Sequence, residues 1–90
     1  MTFLHTAVVT IRQPEGWHAR PATEFARIVG ESEFDVTIGR SGEAPSRGDS
    51  VLSLLTLGAR FGEDLTITVT ATDDGEEQAR LLLANLSQLF

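Results

Sequence analysis

The sequence predicts an α+β fold with its elements in the order β-α-β-β-α-β-α, and three observations carry that prediction. Residues 65–71 alternate strictly. Leu65, Ile67, Val69 and Ala71 fall on one side and Thr66, Thr68 and Thr70 on the other, as in a strand with one buried face. Residues 22–29 repeat at helical spacing instead, with Ala22, Phe25, Ala26 and Val29 at i, i+3, i+4 and i+7. Ala79, Leu82, Leu83, Leu86 and Phe90 form a second helical stripe. One antiparallel or mixed sheet with helices on one face buries these surfaces together and leaves the threonine faces to solvent.

The elements follow in chain order. Leu4 to Ile11 is rich in β-branched residues and alternates, placing Ala7, Val9 and Ile11 on one face of a first strand. Pro14-Glu15-Gly16 breaks it. A helix starts near Ala19, with Pro21 in the first turn and Gly30 as its C-cap. Phe34 to Ile38 alternates again as a second strand, and Gly39 to Gly42 turns the chain. Glu43 to Ser46 reads as a short third strand, which Pro45 confines to an edge. Ser50 is an N-cap for a short helix through Leu57 that ends at Gly58. After the fourth strand, Asp73 or Asp74 caps the last helix, and Glu76 and Glu77 complement the dipole of its first turn.

Ninety residues suit one domain, 1–90, with a single modest core. The net charge of −6 argues against nucleic acid, which needs a basic stripe that this chain lacks. A small anion could still bind at a local cationic site. The absence of cysteine excludes disulfides, thiolate metal sites and thiol catalysis, and it fits a reducing cytoplasm. The first residues do not read as a signal peptide. The longest apolar run, Leu81 to Ala84, is too short for membrane insertion.

The polar inventory is thin: there are two histidines, no tyrosine and no lysine, and all seven basic residues are arginines. His5, near the start of the first strand, suits a surface or strand-end role. His18 stands in Gly16-Trp17-His18-Ala19-Arg20-Pro21-Ala22, between a breaker and a helix start. The first helical N–H groups lack partners within the helix and its dipole makes that end positive, so an anion on His18 would lie close to them. Arg20 adds a fork suited to phosphate oxygens. His18 is therefore a nucleophile candidate in an anion-stabilising setting, and an imidazole phosphoramidate fits it. The motif supplies no obvious acidic partner for a general-base role. A histidine N-cap beside an exposed arginine is the plainer reading. No second histidine or acid lies at ligand spacing, so no metal is expected.

The run Gly16 to Ala22 resembles the phosphorylation-site signature of the HPr family, the histidine-containing phosphocarriers of the bacterial phosphoenolpyruvate-dependent phosphotransferase system. Asp49-Ser50-Val51-Leu52-Ser53-Leu54-Leu55-Thr56-Leu57-Gly58 resembles the family's second signature, a serine opening a short apolar helix that closes at Leu-Gly. The resemblance covers essentially the whole chain. It implies an open-faced β-sandwich of four antiparallel strands under three helices. It also implies that His18 takes a phosphoryl group on Nδ1 from the phosphohistidine of enzyme I. His18 then passes the group to a downstream enzyme II A component or regulator, while Arg20 holds the phosphate oxygens. Such a protein is a carrier with a phosphohistidine intermediate, not a turnover catalyst, and it needs no cofactor. Ser50 matches the family's regulatory phosphoserine. A monomer suits a shuttle whose site must stay accessible.

On the short helix, Leu54 and Leu57 are the expected core pair. The resemblance leaves Val51, Leu52 and Leu55 exposed beside His18 as a partner-docking patch, which Thr23 and Arg27 could flank. Trp17 stands where the family more often has an aliphatic residue, and it is expected to pack at the core edge with its indole N–H in solvent. Asp49 stands where a lysine is common, so a phosphate on Ser50 would meet a like charge. As an N-cap, Ser50 is explained without phosphorylation. Two other classes remain. One is a regulatory module that docks on a kinase or transcription factor through the Ser50 helix. The other is a ferredoxin-like ligand-binding domain, which would need a pocket and not the His18 to Pro21 run.

Overall fold

The computed structural model describes residues 1–90, apart from the side chain of Asp73. Strands β1 (Thr2–Thr10), β2 (Asp35–Gly39), β3 (Ser46–Arg47) and β4 (Asp64–Thr72) form one antiparallel sheet in the order β1-β4-β2-β3. Helices α1 (Ala19–Glu31), α2 (Val51–Thr56) and α3 (Glu76–Ser87) complete the open-faced sandwich, with α3 packed over β1 and β4 and α1 against α2.

Register aligns the apolar rows. Val9 faces Leu65 and Ala7 faces Ile67 across β1 and β4, while Val36 faces Val69 and Ile38 faces Ile67 across β2 and β4. Leu65, Ile67, Val69 and Ala71 are all buried against Ala22, Phe25, Ala26 and Val29 of α1 and Ala79, Leu82, Leu83 and Leu86 of α3. The opposite face carries Thr6, Thr68 and Thr37 in one row across three strands, with Leu4 and Val8 exposed on the edge strand. No helix among the described residues is long and apolar enough to cross a membrane.

Several boundaries differ from the sequence reading, each for a local reason. Strand β1 begins at Thr2, so His5 lies within it, on the inward row with Phe3 and Ala7, and not at a strand end. Ile11 follows the strand yet stays fully buried, fixed by hydrogen bonds with Glu63 and Gly62. Gly30 lies inside α1. The C-cap is Ser32, whose backbone N–H and hydroxyl both donate to the Val29 carbonyl. The hydroxyl supplies the stop that a glycine often provides.

The third strand is Ser46–Arg47, not Glu43 to Ser46, because Pro45 has no N–H to give a ladder. Helix α2 ends one residue early, with Leu57 as C-cap and Gly58 at φ +58°. The N-cap of α3 is Gly75, neither Asp73 nor Asp74, because a 3-10 turn over Asp73–Gly75 precedes the helix. Gly75 sits against the Phe34 ring, where an added Cβ would lie 2.8 Å from it.

Candidate functional site

The segment between β1 and α1 is held at three points. Gly16 N–H donates to the Gln13 carbonyl at 2.8 Å and closes a turn around Pro14 and Glu15. Gly16 has φ +82°, and a Cβ on it would lie 2.7 Å from the Ala59 carbonyl oxygen. Only glycine fits both the left-handed backbone and that approach. Trp17 N–H then donates to the same Ala59 carbonyl at 2.9 Å. The Trp17 ring is buried, stacked on Phe90 at 4.5 Å between centroids and edge-on to Phe25 at 5.9 Å. Its packing role is as the sequence suggests, but the indole N–H is not in solvent: it is buried without a hydrogen-bond partner.

With Trp17 fixed inward, His18 leaves the core with extended backbone (φ −131°, ψ −176°) and serves as the N-cap residue of α1. Its carbonyl accepts from Ala22 N–H at 3.2 Å. Its side chain makes no cap hydrogen bond, and the imidazole is 39% exposed. The N–H groups of Ala19 and Arg20 have no carbonyl partner within the helix, and Pro21 has no N–H to satisfy. The proline in the first turn thus leaves two open donors and a positive helix end beside an exposed imidazole.

The sequence reading found no acidic partner for His18. The structure corrects this: Glu15 Oε1 lies 3.1 Å from His18 Nε2. The turn closed by Gly16 reverses the chain and brings residue i−3 back over the ring. That reversal was signalled by Pro14-Glu15-Gly16, although its consequence for the glutamate was missed. A carboxylate oxygen at this distance favours the tautomer that carries its proton on Nε2. The neutral ring then presents the lone pair of Nδ1.

Gln13, Glu15, His18, Arg20, Pro21, Glu24 and Leu89 line an open depression of ~570 Å³. Arg20 is exposed there. Among the described residues it has none of the ion pairs that occupy Arg27 (Glu24 and Glu31), Arg40 (Glu63) and Arg47 (Asp49). Its guanidinium is therefore the uncommitted cation at the mouth of the depression. The Arg27 hydrogen bond holds the Glu24 carboxyl below its usual range, so Glu24 stays ionised beside the site. No group of three or more potential metal ligands occurs among the described residues.

The short helix α2 packs against α1. Ser50 caps α2 as expected, its hydroxyl accepting from Ser53 N–H at 3.2 Å. Leu54 is fully buried and Leu57 partly so, as the expected core pair. Leu52 is 77% exposed and Leu55 39%. Val51 departs from the expected patch: it is partly buried against the core, because the first turn of α2 tucks its β-branched side chain inward. Thr23 is exposed on α1. The Asp49 carboxylate is clasped by Arg47 through hydrogen bonds of 2.9 and 3.0 Å, which lower its pKa and offset part of its charge beside Ser50.

Comparisons with known proteins agree with this architecture. The family model described as "PTS HPr component phosphorylation site" matches residues 5–90. The chain is 37% identical to the phosphocarrier protein HPr of Streptomyces coelicolor, over 87% of this chain and 82% of that one. It is 34% identical to the multiphosphoryl transfer protein of Xanthomonas campestris, over 71% of this chain but only 8% of that much longer protein. Among solved structures, the phosphocarrier protein HPr of Bacillus anthracis superposes with a TM-score of 0.75 at 26% identity, covering 96% of this chain and 95% of that one.

Proposed function

The chain belongs to the HPr family of the phosphotransferase system, and on that premise we propose that it is a phosphoryl carrier whose acceptor atom is His18 Nδ1. The donor is the phosphohistidine of enzyme I. The recipient is a downstream enzyme II A component or a regulator, and the exchange takes place in the cytoplasm. The observation that carries this reading is the setting of His18. An exposed imidazole, its Nε2 against Glu15, caps a helix whose first N–H groups are open, with Arg20, which has no ion pair among the described residues, beside it.

The chemistry needs little more. The Nδ1 lone pair attacks the phosphorus while the donor nitrogen–phosphorus bond breaks and its electron pair returns to the donor ring. Catalysis of such a transfer is mostly positioning and charge stabilisation. Arg20 and the helix end offer the incoming phosphate a moderate grip, since two backbone donors and one exposed guanidinium hold an anion without enclosing it. A moderate grip suits a group that must be handed on. Leu52 and Leu55, with Thr23 nearby on α1, form the docking surface beside the site. A small apolar patch fits transient partners. Ser50 is first an N-cap. As a regulatory phosphosite it would meet Asp49 already paired with Arg47.

Intact-protein mass spectrometry after incubation with phosphoenolpyruvate and the cognate enzyme I tests the reading. One acid-labile phosphate on the wild type, absent from a folded His18→Ala variant, is expected. A folded wild type that takes up no phosphate would overturn the carrier role and leave the Ser50 helix as the functional surface to examine.

A further inference from the structure

We infer that Glu15 is a positioning residue for phosphoryl transfer, keeping the proton on His18 Nε2 through both halves of the cycle; this rests on the carrier reading. Glu15 Oε1 approaches His18 Nε2 to 3.1 Å across the turn that joins residues 15 and 18. Gly16 closes the turn and lies too near Ala59 to carry a side chain, so the reversal sets the Glu15 backbone within reach of the ring. Among the described residues Glu15 has no other ionic partner.

The consequence follows from counting protons. The neutral ring carries its proton on Nε2 and attacks through Nδ1. Once the Nδ1–phosphorus bond has formed, the ring still holds the Nε2 proton and is an imidazolium. Such a ring leaves as neutral imidazole when the next nucleophile takes the phosphoryl group, with the Nδ1–phosphorus electron pair returning to Nδ1. If Nε2 lost its proton, the leaving group would be an imidazolate, a far poorer one. Glu15 opposes that loss by placing a negative charge beside the proton. The other charged groups facing the depression are Arg20 and Glu24. Arg20 is the cation available to the phosphoryl oxygens, and Glu24 is engaged by Arg27. Glu15 is thus the charge committed to the far nitrogen. Its negative charge also repels the phosphate, which keeps the grip loose.

The test uses the whole chain, loaded chemically with phosphoramidate so that no partner is needed. The lifetime of the His18 adduct is followed by intact mass in wild type, Glu15→Gln and Glu15→Ala, with His18→Ala assigning the site. Glu15 is 60% exposed, so these variants keep the fold. Loss of one charge-assisted contact predicts an adduct about tenfold longer-lived in both variants, and correspondingly slower donation to an acceptor. Nitrogen-15 NMR of the unphosphorylated ring gives a second reading. The shift difference between Nδ1 and Nε2 is expected to shrink in Glu15→Ala. Equal lifetimes and unchanged ring shifts would overturn the inference. Lengthened lifetimes together with a failure of enzyme I to load His18 would overturn the carrier reading and, with it, the role of Glu15 in transfer, leaving only its effect on the adduct.

Discussion

Trp17 stacks on Phe90 with ring centroids 4.5 Å apart and an interplanar angle of 14°, joining the residue before the candidate nucleophile to the segment after α3. Phe25 closes the cluster edge-on to both rings. The cluster anchors the chain where it turns out of the core, so His18 inherits its position from packing. Replacing Phe90 with alanine is expected to lower stability by about 1–2 kcal/mol, since the ring is only partly buried and aromatic pairing adds to its area term. Urea denaturation followed by Trp17 emission checks this. As the sole tryptophan, Trp17 should also shift to longer wavelength in the folded variant.

Gly16 links the same anchor to the site. A Cβ there meets the Ala59 carbonyl oxygen at 2.7 Å, and the backbone is left-handed at φ +82°. Gly16→Ala is expected to cost about 1–3 kcal/mol. It should also reduce phosphate uptake by His18 more than the loss of stability explains, because the turn that sets Glu15 against the ring is displaced. Uptake measured well below the melting temperature separates the two effects. Normal stability in this variant would contradict the close approach.

Arg40 and Glu63 tie the end of β2 to the loop before β4. Glu63 accepts from Arg40 at 2.6 and 3.0 Å and from Arg60 N–H at 2.7 Å, while Arg40 also donates to the Gly58 carbonyl. The Arg40 hydrogen bonds hold the Glu63 carboxyl down to about 2 from an ordinary 4.5. A carboxyl depressed on folding stabilises the fold fully above its unfolded value. Its contribution is therefore complete above about pH 4.5 and is lost as the pH falls through about 2. Glu63→Gln is expected to flatten that part of the stability–pH curve and lower the plateau above it. Thermal melts between pH 2 and 7 would show it. Parallel curves for the two proteins would rule it out.

The alternating strands and helical stripes were legible because burial imposes a period on the residues themselves: Leu65 to Ala71 could hardly be read otherwise. Boundaries were less legible where two stop signals compete. Gly30 looks like a helix end, yet Ser32 supplies a hydroxyl to the Val29 carbonyl and wins. His18 and Arg20 stood out through their place at a helix start. Glu15 did not, because its contact with His18 depends on a chain reversal, and sequence spacing gives the turn without giving the direction of its side chains. Val51 was misplaced for a related reason. A six-residue helix shows too little of a wheel to separate inward from outward positions.

Ser50 distinguishes a structural serine from a regulatory one. Its hydroxyl accepts from Ser53 N–H, so Ser50→Ala is expected to destabilise the fold by about 1 kcal/mol whether or not the residue is ever phosphorylated. Ser50→Asp keeps an acceptor and adds a charge that the helix end favours, and should sit close to wild type. Denaturant midpoints for the two variants check this. A kinase-treated sample that gains phosphate at Ser50 and changes partner affinity would add the regulatory role.

Leu52 offers the sharpest separation of docking from folding. It is 77% exposed on α2, whereas Leu54 in the same helix is fully buried. Leu54→Ala should cost about 2–5 kcal/mol as a core truncation, while Leu52→Glu should change stability by less than about 0.5 kcal/mol. If Leu52 meets enzyme I, placing a charge in that contact weakens docking and raises the KM for transfer to His18. The loss should be about 1–2 kcal/mol, a shift of several-fold to thirtyfold, with kcat little changed. Initial rates of phosphate uptake at varied carrier concentration measure both terms. An unchanged KM with Leu52→Glu would move the docking surface away from α2, toward Thr23 and the exposed face of α1.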